Sequence, residues 1–159
     1  FHMNIKYLNI YNNLIKLTRN KSLYKYYTNK ESFSDRLTVF FFHLAFFLKT
    51  YKNNSSINDR QKLYDFIFKQ IELSIREIGY GDATVNKKMK DYVNLMYSIV
   101  NKVELWDKFD SIEKSNLFSK YISTGEEISI FTSYFDKYSY YLSKKSFNYF
   151  TKDVISLKF

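Results

Sequence analysis

Residues 74–90 read Ser-Ile-Arg-Glu-Ile-Gly-Tyr-Gly-Asp-Ala-Thr-Val-Asn-Lys-Lys-Met-Lys, and this stretch decides the fold. It holds two of the chain's three glycines, Gly79 and Gly81, between two long segments whose apolar residues recur with the period of a helix. Gly79 follows the last apolar position of the first segment, where a left-handed C-terminal cap favours a residue without a Cβ. Asp82 or Thr84 is expected to cap the next helix. The stretch therefore predicts a helix end, a tight turn and a helix start.

The two glycines do not indicate a nucleotide site. No strand precedes them, and neither a third glycine nor a Gly-Lys-Ser/Thr sequence follows. We therefore interpret Gly79 and Gly81 as a structural corner between two helices.

The helices on either side of this corner carry the clearest apolar stripes. The first is expected from residue 58 or 59 to Ile78, and the second from residue 84 to Val103, as an antiparallel or steeply crossed pair. The first stripe consists of Leu63, Phe66, Ile67, Gln70, Ile71, Ser74, Ile75 and Ile78. The second consists of Val85, Met89, Tyr92, Val93, Met96, Ile99 or Val100, and Val103.

Residues 35–51 form a helix that is apolar nearly all round, with Ser34 as its expected N-cap. The continuous apolar run covers residues 39–48, which as a helix rise about 15 Å, half the hydrocarbon thickness of a bilayer. It is therefore too short to span a membrane. It is either the central helix of a bundle or a helix with one face left for a partner. His43, in its middle, is expected to be a hydrogen-bonded core residue.

The ends of the chain also have helical periodicity. Residues 4–17 place Ile5, Leu8 and Ile15 on one face, as a docking helix or as a basic amphipathic segment that touches a membrane. One or two shorter helices are expected over residues 105–122. A capping box at Thr124-Gly125-Glu126-Glu127 precedes another helix. The apolar positions of that helix are Ile128, Phe131, Phe135, Tyr138 and Leu142, and residues 147–159 form a last short helix or a tail.

Length and composition fit one helical domain. The chain has 159 residues and no proline, and we predict an all-α, single-domain, irregular bundle of about six to seven helices. Residues 1–3 are interpreted as an expression scar plus the start methionine, and residues 4–159 as the domain. The absence of cysteine excludes disulfides and thiolate metal sites. Since His2 belongs to the scar, a catalytic triad would have to use His43.

The net charge of +9 favours anionic neighbours such as ribosomal RNA, acidic proteins or lipid headgroups. Lys87, Lys88 and Lys90 form a basic cluster directly after the corner, either as a solvated face or as a binding surface. Arg76 and Glu77 are either an exposed pair or a clamp, with Arg76 bonding turn carbonyls and Glu77 or Asp82 accepting from free amides. No catalytic, metal-binding or cofactor-binding residues are predicted, and the chain is not expected to be an enzyme.

Four blocks of the sequence resemble the ubiquinol–cytochrome c chaperone family. The strongest is the corner itself, Arg76 to Asp82 with Val85 and residues 87–90, which is similar to the family's signature. The other three are Ser22-Leu23-Tyr24, then Asp35-Arg36-Leu37 with Phe42-His43-Leu44, and Leu63-Tyr64-Asp65-Phe66-Ile67-Phe68. The resemblance covers residues 20–120. The chain departs from the family at Ser34-Asp35-Arg36, which loses a glycine, and at Tyr97-Ser98-Ile99, which loses a glycine and an arginine.

The resemblance implies a non-enzymatic assembly factor that binds newly made cytochrome b and supports biogenesis of ubiquinol–cytochrome c reductase. It also implies work near the ribosomal tunnel exit and peripheral contact with an anionic inner membrane, and no specific DNA contact is predicted. The expected location is the bacterial cytoplasm at the inner membrane, with the mitochondrial matrix side as the alternative. The alternative function is a basic helical module that binds ribosomes or nucleic acid. The candidate partner-binding residues are Arg36, Phe40, Phe42, His43, Phe46, Phe47, Arg76, Glu77, Asp82, Lys87, Lys88 and Lys90.

Overall fold

The computed structural model describes residues 2–25, 32–54, 57–123 and 128–152. These residues form helices packed into one bundle, and no strand occurs among them, which confirms the predicted all-α class. Short 3₁₀ turns at Lys21–Leu23 and Trp106–Lys108 follow the first and fourth helices. The helices are α1 (His2–Thr18), α2 (Phe33–Thr50), α3 (Ile57–Ile78), α4 (Asp82–Val103), α5 (Ser111–Tyr121), α6 (Ser129–Ser143) and α7 (Phe147–Thr151).

The apolar helix α2 is the centre of the bundle. Every side chain from Leu37 to Leu48 is buried, because α1, α4 and α6 pack around this helix. Burial of a phenylalanine side chain stabilises a fold by roughly 1.5–3 kcal/mol, so α2 is a main source of stability. This confirms the first of the two interpretations of its sequence and removes the second, in which one face waits for a partner.

The start of α2 differs from the sequence prediction by two residues. Ser32, not Ser34, is the N-cap: its hydroxyl accepts from the Asp35 amide at 3.2 Å, and Asp35 accepts from the Ser32 amide at 2.8 Å. This reciprocal capping box satisfies two amides, whereas a cap at residue 34 would satisfy one. Ser34 instead lies in the first turn, with its hydroxyl 2.7 Å from that of Tyr92 on α4.

The buried face of α1 also differs from the prediction. Ile5 and Leu8 are exposed, and Tyr7, Ile10, Leu14 and Leu17 enter the core. The buried Asn13 also faces the bundle and donates its side-chain amide to the Phe150 carbonyl of α7, 3.1 Å away. This contact joins residues 137 positions apart in the sequence, and helical periodicity alone cannot reveal it.

The remaining helices follow the predicted stripes closely. In α3 the stripe residues spaced four apart are buried (Leu63, Ile67, Ile71 and Ile75), the stripe residues between them are half-buried, and Ile78 is exposed. In α4 the buried residues are Val85, Tyr92, Met96, Ile99 and Val103. The short helix predicted after Phe147 is α7. The expected capping box at residues 124–127 lies outside the described residues, as do residues 153–159. Within the described ranges, no helix has both the length and the apolarity that a membrane span requires.

Candidate functional site

The corner between α3 and α4 depends on the left-handed backbone conformation of Gly79. Gly79 has φ +110°, in the region that side chains with a Cβ rarely adopt, and its amide donates to the Arg76 carbonyl at 3.0 Å. Gly81 is the N-cap of α4 with φ −78°. No side chain caps α4, so the expectation that Asp82 or Thr84 does so is wrong. Gly81 is permitted there because glycine is itself an acceptable N-cap residue.

Arg76 bridges the corner through side chains. Its guanidinium lies 2.5 Å from the Asp82 carboxylate and 3.9 Å from that of Glu72, and the pKa of Arg76 is raised, first by the hydrogen bond to Asp82. The prediction that Arg76 bonds turn carbonyls is therefore replaced by an ion pair from the last turn of α3 to the first residue of α4. Both partners are largely exposed, so the pair contributes little to stability. Glu77 is exposed beside it.

Two depressions that share Phe33 lie along α3, between this corner and the start of α2. Together we call them the corner groove. The first depression, about 260 Å³, is lined by Tyr11, Ile15, Thr18, Arg19, Phe33, Arg36, Leu37, Phe40, Ile71 and Ser74. The second, about 240 Å³, is lined by Ser32, Phe33, Ser34, Ile75, Ile78, Tyr80, Lys88 and Tyr92.

The walls of the corner groove are mainly apolar, and its charges have one sign. Ile78 and Tyr80 are 55% and 42% exposed. Arg19 and Arg36 border one end, and Lys88 borders the other. None of the described residues that line the groove is acidic. The groove can therefore receive an apolar segment that carries negative charge near its ends.

Several side chains hold the groove in shape. The ring of Phe33 meets that of Tyr92 edge-on at 6.2 Å, and the Tyr92 hydroxyl is tied to Ser34. The Lys88 ammonium lies 4.7 Å from the centroid of the Tyr80 ring, close enough for a cation–π contact. Tyr80 is thus placed by α4, although it belongs to the corner.

Of the predicted partner-binding residues, the structure brings only Arg36 and Lys88 into the walls of the groove with substantial exposure. Phe40 reaches the floor of the first depression but is 2% exposed. Arg76, Glu77 and Asp82 lie on the adjoining corner. Lys87 borders a separate shallow depression on α4 with Ala83, Thr84 and Asp91, and Lys90 is exposed on the same helix. Their contact with a partner stays a prediction.

Phe42, His43, Phe46 and Phe47 do not reach the surface, since each is at most 1% exposed. The Phe42 ring packs on Phe118 at 4.9 Å, and the Phe46 ring stacks on Phe135 at 5.2 Å. The expectation that these side chains form a partner-binding patch is corrected here, because α4, α5 and α6 cover the faces that the sequence left open. The binding surface must lie elsewhere.

His43 is a core histidine, as its sequence position predicted. Its Nδ1 donates to the Val39 carbonyl at 2.9 Å, and its Nε2 lies 2.6 Å from the Tyr134 hydroxyl. A carbonyl can only accept, so Nδ1 carries the proton and Tyr134 donates to Nε2. Burial lowers the pKa of His43 to about 3. The ring is therefore neutral and without access to a substrate.

Sequence reasoning missed Phe33, Tyr80, Arg19 and Tyr92 as groove residues. Phe33 and Tyr80 carried a signal, because each is an aromatic residue at a helix boundary, outside the apolar stripes. Arg19 carried none. It belongs to the groove only because α1 packs beside α2 and α3.

The fold and the groove define a helical protein whose apolar, cation-bordered cleft is suited to hold a segment of another polypeptide. The model of the ubiquinol-cytochrome C chaperone family matches residues 25–111, more than half of the chain, and the chain belongs to this family. The match contains α2, α3, α4 and the corner. Neither the curated proteins nor the solved structures gave a match.

Family membership gives the chain a role as a chaperone in assembly of the ubiquinol–cytochrome c reductase complex at the inner membrane. Its partners are components of that complex, and the role indicated is non-enzymatic. The corner groove lies largely within the matched residues, and only its α1 side lies outside them.

Proposed function

We propose that the chain holds newly synthesised cytochrome b in the corner groove and in this way supports biogenesis of ubiquinol–cytochrome c reductase. The observation that carries the proposal is the exposed apolar wall at Ile78 and Tyr80, in a cleft bordered by Arg36 and Lys88. A membrane protein exposes apolar segments before it is inserted and assembled. Such a segment, with a carboxylate near its end, matches the groove in both polarity and charge.

The position of the groove supports the same partner. Helices α2, α3 and α4, which form most of the groove, are matched by the family model, and the groove stays accessible while the core of α2 is closed. We place the protein at the periphery of the inner membrane, on the bacterial cytoplasmic side, with the mitochondrial matrix side as the alternative. Contact with the ribosome near its tunnel exit is proposed through the exposed Lys87 and Lys90.

Gene deletion followed by rescue tests this function. Deletion is expected to lower the amounts of cytochrome b and of the assembled complex, and the wild-type gene is expected to restore both. The Ile78→Asn variant should fail to restore them. Leu73→Asn is the matched control, because Leu73 is an aliphatic residue on the same helix, 44% exposed and outside the groove. Normal amounts of both products in the deletion strain would overturn the proposal.

Binding of ribosomes or nucleic acid is the competing function, and salt separates the two. Neutralisation of phosphates makes RNA binding weaken steeply as salt rises, whereas binding of an apolar segment is retained. Binding of cytochrome b that persists at high salt would support the proposed function of the corner groove. Binding of RNA alone, lost at moderate salt, would support the alternative function in ribosome or nucleic-acid binding.

A further inference from the structure

The net positive charge of this protein is carried by two segments of the sequence. Residues 2–25 and 137–152 carry nine lysines or arginines and no carboxylate. The rest of the chain has 16 basic and 16 acidic residues, so the two segments account for the whole net charge of +9. Most of this charge lies outside residues 25–111, the part shared with the family.

The fold brings these two segments together. Asn9 of α1 donates its side-chain amide to the Thr151 carbonyl at the end of α7, 3.0 Å away. Further along α1, Lys16 borders the same cavity as Lys137 of α6. Helices α1, α6 and α7 therefore form one continuous side of the molecule.

This side exposes apolar groups among its cations. Ile5, Leu8, Asn9 and Lys16 share one side of α1, and Ile5 and Leu8 are 58% and 43% exposed. On α6, Lys137, Tyr140 and Lys144 recur at positions i, i+3 and i+7, on one face. Tyr140 is 67% exposed, and the Lys144 ammonium lies 5.2 Å from its ring. We name the surface formed by Ile5, Leu8, Lys137, Tyr140 and Lys144 the basic face.

The cavity between α1 and α6 gives the basic face a recess of about 660 Å³. Its described lining contains both lysines, the side chains of Asn20 and Ser133, and no carboxylate. The Lys137 ammonium can reach an anionic headgroup there. The Tyr134 hydroxyl at the recess is directed to His43, which keeps this wall rigid.

We propose that the basic face docks on an anionic phospholipid surface, with Ile5, Leu8 and Tyr140 entering the headgroup region and the lysines pairing with lipid phosphates. Exposed aliphatic side chains favour a bilayer over RNA, because they gain nothing from a phosphate backbone but are stabilised on entering the interface. Tyrosine is typical of that interface as well. This proposal deepens the proposed function and rests on its membrane location, but its test uses only purified protein and lipid.

The test is flotation of the full chain with vesicles of phosphatidylcholine, with or without phosphatidylglycerol. The wild-type protein should bind only the anionic vesicles. Each surface lysine contributes about fivefold to such binding, so Lys137→Gln/Lys144→Gln should lower the partition coefficient on the order of 30-fold. The control Lys87→Gln/Lys90→Gln makes the same charge change on α4 and should lower it by less than about threefold, because salt screens distant charges.

A second variant separates lipid from RNA. Ile5→Asn/Leu8→Asn keeps every charge and replaces two exposed side chains, so the fold should be retained and vesicle binding should fall several-fold. The proposal is overturned by equal losses in the two lysine variants, by binding that does not require the anionic lipid, or by wild-type vesicle binding in the Ile5→Asn/Leu8→Asn protein. Binding of an unstructured RNA in the absence of vesicle binding would also overturn it. Failure here would leave cytochrome b capture by the corner groove untouched.

Discussion

The Nε2 atom of His43 lies 2.6 Å from the Tyr134 hydroxyl oxygen, and this hydrogen bond joins the central helix α2 to α6. Tyr134 is also hydrogen-bonded to Asn20, in the segment after α1. Three parts of the chain therefore meet at one neutral imidazole. The buried polar contact fixes how α6 packs on α2, and it requires His43 to stay unprotonated.

This requirement predicts a loss of stability in mild acid. Burial lowers the pKa of His43 from 6.5 to about 3, so between these values the unfolded chain takes up a proton that the folded chain cannot bind. Stability is therefore full above pH 6.5 and falls as the pH drops through this window. By pH 5 the loss should be about 2 kcal/mol. Urea unfolding at pH 7.5 and pH 5 measures it.

The control for this prediction is His43→Gln, which cannot titrate. Its stability will be lower at every pH, since a core contact is altered, but the decline from pH 7.5 to pH 5 should be about 2 kcal/mol smaller than in the wild type. Equal declines in both proteins would show that other groups titrate and that His43 is not the cause.

The corner predicts a difference between its two glycines. A Cβ at residue 79 or at residue 81 would meet no atom within 4 Å, so only the backbone separates them. Gly79→Ala forces a side chain into φ +110° and should cost about 1–3 kcal/mol. Gly81→Ser places a good N-cap residue at an ordinary φ and should be neutral or stabilising by a few tenths of a kcal/mol. Thermal or urea unfolding of both variants gives the comparison.

The position of Gly79 in the corner also predicts whether a larger side chain there affects folding or client binding first. The Gly79→Val substitution should impair folding before it impairs client binding, because Gly79 sets the angle between α3 and α4. A well-folded Gly79→Val protein that fails only to bind would identify the corner backbone as a contact site instead.

The core position of Phe42 yields a further prediction. Phe42→Ala removes a ring that packs on Phe118 and Phe135, and it should destabilise the protein by about 3–5 kcal/mol. Tyr140→Ala, at an exposed position, should change stability by less than about 0.5 kcal/mol. Urea unfolding measures both. A Phe42→Ala protein with wild-type stability and no client binding would restore the idea that α2 touches the client directly.

Most of the fold can be predicted from the sequence. Helical periodicity is enough to identify the apolar stripes of α3, α4 and α6, and a glycine marks the end of α3. The sequence offers two serines, Ser32 and Ser34, as the N-cap of α2. Ser32 is favoured because the Asp35 carboxylate accepts a hydrogen bond from its backbone amide. On α1 the sequence offers two apolar faces with helical spacing, and only packing against α2 and α7 buries the one with Tyr7, Ile10 and Leu14. The predicted partner-binding patch on α2 was wrong because the sequence shows that this helix is apolar nearly all round, but does not show which other helices cover it.

The corner groove was the least accessible feature. Its walls come from four helices and the corner, and residues such as Arg19 and Phe33 become neighbours only in the assembled bundle. The sequence did locate part of it. Arg36, Lys88 and the signature at residues 76–82 were all singled out, and each lies in the groove or at its edge.

Site-specific crosslinking tests the central claim most directly. A photoreactive amino acid is placed at residue 78, in the groove, or at residue 73, exposed on α3 outside it, and the full chain is present while cytochrome b is synthesised. The account predicts a crosslink to cytochrome b from residue 78 and a much weaker one from residue 73. A crosslink from residue 73 alone, or equal crosslinks from both positions, would contradict binding in the corner groove.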